Sequence, residues 1–87
     1  MSEATRSERT ARILGGRLEE LARALERAGT PPEAASRLLE AASVATLHAV
    51  TLDLLTSERA AELWREAAER HPEVEPLREV PLIRRAA

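Results

Sequence analysis

The sequence predicts an all-α protein. Its plan is a three-helix unit, with a long hairpin of helices 1 and 2, a shorter helix 3 and an extended C-terminal arm. Two such units would pair as a dimeric helical bundle. Three observations predict this. Between residues 7 and 70, apolar residues recur three and four apart, the period of a helix face rather than of a strand. Chain-breaking residues fall at Gly29-Thr30-Pro31-Pro32, at Thr56-Ser57, and at Pro72, Pro76 and Pro81. The 87 residues are 44% hydrophobic and 32% charged, which suits one small core and no second domain. The expected organisation is a flexible N-terminus over 1–9, a three-helix domain over 10–71 and the arm over 72–87.

The first helix is expected over 7–28. Ala11, Leu14, Leu18, Leu21, Leu25 and Ala28 form a narrow seam of the coiled-coil kind. Gly29 suits the position after its end, because glycine adopts a left-handed conformation without a Cβ clash. Gly15-Gly16 interrupts the seam and marks either a close helix contact or the true start of the helix.

A second helix is expected over 30–55, with Thr30 as N-cap, Pro31 in the first turn and Glu33 closing a capping box. It is apolar on two sides. Ala35, Leu38, Ala42, Ala45, Ala49 and Leu52 form one seam, while Leu39, Leu47, Val50 and Leu54 form another strip. A helix of that kind needs cover on both sides.

The third helix, 57–70, is cleanly amphipathic: Ala60, Leu63, Trp64, Ala67 and Ala68 face inward. Pro72 ends it, since the residue before a proline avoids the helical conformation. Beyond it, three prolines preclude a long helix, yet Val74, Leu77, Val80, Leu82 and Ile83 are too apolar for an idle tail. An extended arm lying on a surface is the reading.

Composition excludes several chemistries. With no Cys there is no disulfide framework and no thiolate chemistry, and with no Lys there is no Schiff base. All 13 basic residues are Arg, interleaved with Glu to a net charge of −2, so there is no basic stripe for nucleic acid. The longest uncharged run, 41–52, has 12 residues, against roughly 20 needed to cross a bilayer. A cytoplasmic location is the expectation, and the Arg-only, Ala-rich usage suggests a bacterial GC-rich genome.

Candidate chemistry is sparse. His48 lies on the apolar arc of the second helix and reads as an interface histidine bonded to a partner helix. Asp53 reads as a cap of helix 3 or as the partner of an Arg, and His71 as a favourable cation at a helix C-terminus. Two histidines, preceded at three residues by Ala45 and Ala68 rather than Glu, do not make a bundle metal site. Trp64, the sole aromatic residue, reads as the largest plug of the core.

The expected function is protein–protein interaction: a homo-oligomeric assembly element, or a small subunit of a larger complex, with no catalytic residue, cofactor or metal of its own. The interface is expected from Leu39, Leu47, His48, Val50, Leu54, Leu77, Val80, Leu82 and Ile83. The alternatives are a small DNA-binding regulator using Arg23, Arg27 and Arg37, or a bundle enzyme or ligand carrier with a pocket around His48 and Trp64.

Overall fold

A computed structural model describes residues 3–27 and 29–78 of the chain. Among them are three α-helices and no strand: α1 (Glu3–Glu26), α2 (Pro32–Thr51) and α3 (Ser57–Arg70), followed by a 3-10 turn, Glu75–Arg78. The path is up, down, up. Residues near the C-terminal end of α1 meet those at the C-terminal end of α3, so these two run parallel, with α2 antiparallel to both.

α1 is the central element. Its buried residues, Ala11, Leu14, Leu18, Leu21 and Ala22, follow the seam expected from the spacing. The helix starts at Glu3, four residues earlier than expected, and passes through Gly15-Gly16 unbroken. Neither glycine marks a tight contact. A Cβ on Gly15 would meet Leu63 Cδ2 at 3.9 Å, ordinary van der Waals distance, and one on Gly16 would meet nothing within 4 Å.

The turn from α1 to α2 corrects the expected capping box. Pro31, not Thr30, is the N-cap, and no side chain caps α2. The Thr30 hydroxyl points backwards instead, donating to the carbonyls of Ala24 (2.9 Å) and Arg27 (3.1 Å). The one hydroxyl proton is shared between two carbonyls that also take long backbone bonds, from Arg27 N–H at 3.3 Å and Thr30 N–H at 3.4 Å. Gly29 has φ +90, as its place after the helix requires.

α2 is also shorter than expected, ending at Thr51 rather than near residue 55. The stop is a Schellman motif: Leu54 N–H donates to Ala49 O (2.8 Å), and Asp53 N–H to Val50 O (3.1 Å). Asp53 occupies the left-handed position, φ 59, which glycine usually holds. Its role is therefore to end α2. Thr56 is the N-cap of α3, its hydroxyl oxygen accepting from Arg59 N–H at 3.1 Å.

α3 buries Ala60, Ala61, Leu63, Trp64, Ala67 and Ala68, so its expected inner face is the observed one. Trp64 is fully buried, and its Nε1–H donates to Thr46 Oγ1 at 3.0 Å. The Thr46 hydroxyl itself donates a hydrogen bond to Ala42 O at 2.7 Å. A buried indole donor needs an acceptor, and α2 supplies it. After Pro72 the described chain is not an extended arm. Val74 and Leu77 are buried in the core, on either side of the start of the 3-10 turn.

Candidate functional site

Two features outside the apolar core have a definite geometry: one face of α2, and a polar clasp between α1 and α3. The face follows from how α2 is seated. At 100° per residue, Leu39, Ala42, Thr46, Ala49 and Val50 fall within an arc of about 100°. That arc rests on α1 and α3, with Thr46 buried and the other four partly buried against the core. Leu38, Ala41, Ala45, His48 and Leu52 fall in a second arc, centred about 110° away. Leu38 is 42% exposed and Leu52 68%, and Ala41 and His48 are exposed too. Val44 (47%) and Leu47 (58%) extend this surface round the other side. The first seam expected from the sequence is thus split lengthwise: Ala42 and Ala49 turn inward, Leu38 and Leu52 turn outward, and Ala45 is half-buried.

The other expected interface residues divide accordingly. Leu47 and His48 lie on the exposed side. Leu39 and Val50 pack against the chain's own core, Leu54 is half-buried, and Leu77 is fully buried. Val80, Leu82 and Ile83 lie outside the described residues. His48 and Trp64 are not brought together, since Trp64 meets the inner arc of α2 and His48 stands on the outer one.

The clasp is the feature the sequence reading missed. His71, the C-cap of α3, sits between two carboxylates of α1. Its Nε2 bonds to Glu19 Oε1 at 2.8 Å, and its Nδ1 bonds to Glu26 Oε1. Ionised carboxylates only accept, so both bonds are made together when the ring is protonated and each ring nitrogen donates. Arg70 Nε adds a bond to Glu19 Oε2 at 3.3 Å. The hydrogen bonds to Glu26 and then Glu19 hold His71 above its ordinary value of 6.5. His71 in turn, by its hydrogen bond, holds Glu19 below its ordinary 4.5, against the opposing effect of burial. Glu19 and Glu26 stand seven apart on α1, two turns on one face, which is the only sequence signal for the clasp.

The clasp is not a metal centre. Its two carboxylates address opposite sides of one ring instead of converging on a point, and no cluster with metal-binding geometry occurs among the described residues. Two surface depressions offer no sharper chemistry. One, about 680 Å³, lies at the α2–α3 junction beside Arg6, Asp53 and Ser57. The other, about 490 Å³, lies between α1 and α3, where Glu8, Arg12, Arg59 and Glu66 mix charges of both signs. No helix among the described residues is long and apolar enough to cross a membrane. No protein-family model, curated protein or solved structure matches this chain.

Proposed function

We propose that the chain is a protein–protein interaction and assembly module, acting by helix-face burial and not by chemistry of its own. It serves either as a homo-oligomer or as a small subunit of a larger complex, in the cytoplasm. One observation carries the reading: the exposed aliphatic surface of α2, where Leu38, Val44, Leu47 and Leu52 are all more than two-fifths exposed. Single exposed aliphatic residues need no explanation, but three on one 20-residue helix with a fourth at its C-cap do. Covering them removes apolar area from water at about 25 cal/mol per Å². Residues 79–87, with Val80, Leu82 and Ile83, would add to the same apolar supply.

The test charges the face without touching the core. Leu38→Glu/Leu52→Glu should keep the helical circular dichroism and thermal midpoint of the parent while abolishing association. Association is read as a solution mass above 9.6 kDa, or as a stoichiometric complex purified from the native cell. If parent and variant both run at 9.6 kDa and neither forms such a complex, the reading is wrong.

A further inference from the structure

We infer that His71 is a proton-operated latch: its charged ring holds the C-terminal end of α3 and the turn after it against α1, and loss of the ring proton frees that end while the rest of the bundle stays folded. The latch is independent of what covers α2. His71 stands at a hinge. Its N–H closes α3 on Ala67 O at 3.0 Å, and its carbonyl accepts from Val74 N–H at 3.0 Å. Leu77 N–H then donates to Val74 O at 3.3 Å. Pro72 has no N–H with which to carry the helix on. Val74 and Leu77 therefore reach the core from a backbone anchored at His71.

Two donors are needed, and only the charged ring has two. Nε2 bonds to Glu19 Oε1 at 2.8 Å while Nδ1 bonds to Glu26 Oε1. A neutral imidazole donates from one nitrogen and carries a lone pair on the other. Whichever tautomer forms, that lone pair faces a carboxylate oxygen and one bond is lost. Water has little room to replace it, since the His71 side chain is 12% exposed.

The surrounding charges decide which bond goes. Arg23 on α1 lies 3.8 Å from Glu19, and Arg70 on α3 lies 3.3 Å from it. Glu19 therefore keeps two cationic neighbours when the ring is neutral. Glu26 has no cationic partner besides His71 among the described residues. In the turn, Glu73 and Glu75 are exposed and make no ion pair with the ring, and no residue of α2 makes one among the described residues. Glu26 is also the last residue of α1, which runs parallel to α3, so two negative helix ends lie beside its carboxylate. The bond from Nδ1 to Glu26 is thus the one that the proton operates. The hydrogen bonds to Glu26 and then Glu19 raise the His71 titration, which puts release on the alkaline side of 6.5.

Amide hydrogen exchange separates a latch from a general contribution to stability. Protection is read from pH 6 to pH 9, above the ordinary carboxylate range, against the rate of an unstructured amide at each pH. The amides of Val74 and Leu77 should be at least about tenfold less protected than that of Leu18, at the buried centre of α1. They should also ignore low urea concentrations that reduce the protection of Leu18. Their protection should fall about tenfold as the His71 ring, followed by NMR, loses its proton. In Glu26→Gln the side-chain amide accepts from a charged ring and donates to a neutral one, so that fall should shrink to less than about threefold. Circular dichroism of the variant should match the parent. Protection at Val74 and Leu77 that coincides with that at Leu18 would overturn the latch, and leave the clasp as a contributor to overall stability alone. So would an undiminished fall in Glu26→Gln, or a His71 ring that titrates at or below 6.5 in the folded chain.

Discussion

α2 and α3 invert the usual expectation about which helix is buried. In α3 seven of 14 residues are charged, yet six are buried. In α2 only three of 20 are charged, and a single residue, Thr46, is buried. What decides burial is arrangement. α3 confines its alanines, Leu63 and Trp64 to one face, so one docking orientation buries them all. α2 distributes aliphatic side chains around its axis, and α1 and α3 cover only the arc that includes Thr46. The remainder stays in water or meets another chain.

The sharpest way to break this contrast is at Trp64. Trp64→Ala should cost about 3–5 kcal/mol, most of the stability of a small domain, and leave the chain largely unfolded by circular dichroism. Leu47→Gln, which removes an aliphatic side chain from the exposed side of α2, should move monomer stability by less than about 0.5 kcal/mol in urea titration. Equal effects at the two sites would erase the distinction.

Thr46 probes a polar link between the two helices. Thr46→Val keeps the volume but leaves Trp64 Nε1–H without its acceptor, at about 1–3 kcal/mol. A blue-shifted, destabilised Trp64 emission measures it. On α1, the platform both helices rest on, Gly16→Ala should stabilise by about 1 kcal/mol, because the position is helical and open. Gly29→Ala should destabilise by about 1–2 kcal/mol, because φ there is +90.

The smallest effect is one of pH, and it belongs to the clasp between α1 and α3. Folded His71 keeps its proton to higher pH than the unfolded chain, so its contribution is complete below 6.5 and fades as pH rises through the folded value. Glu19 shifts the other way, and its contribution is present above 4.5 and fades as pH falls through its lowered folded value. The thermal midpoint of the parent should therefore exceed that of His71→Ala most between about pH 4.5 and 6.5, and the gap should narrow on both sides. A gap that is constant from pH 4 to pH 9 would show that the clasp does not titrate.

The legible parts of the fold are those set by local rules. The α3 face and its Pro72 stop, the α1 seam and the Gly29 conformation all follow from spacing or from backbone sterics. What stayed hidden depends on who sits next to whom. Thr30 satisfied either cap rule equally well, and the choice fell to the end of α1. Asp53 ends α2 because Leu54 and Leu55 are drawn toward the core, a tertiary demand that overrides the cost of a left-handed aspartate. The two apolar strips of α2 were visible, but not that Thr46, lying between them, would point inward. The clasp joins residues 45 and 52 positions apart, beyond the reach of any periodicity.

That separation also bears on how the chain comes to fold during synthesis. Because α1 pairs chiefly with α3, its apolar seam has no full cover until residues near 77 have been added. At 5–20 residues per second, α1 is complete for roughly 2.5–10 s before that cover is made. Closing a loop of this length costs more entropy than closing the short turn between α1 and α2, so the contact of the first helix with the last follows that of the first with the second. α2 is the span between α1 and α3, and in that interval its uncharged second half lies open to neighbouring nascent chains of the same sequence.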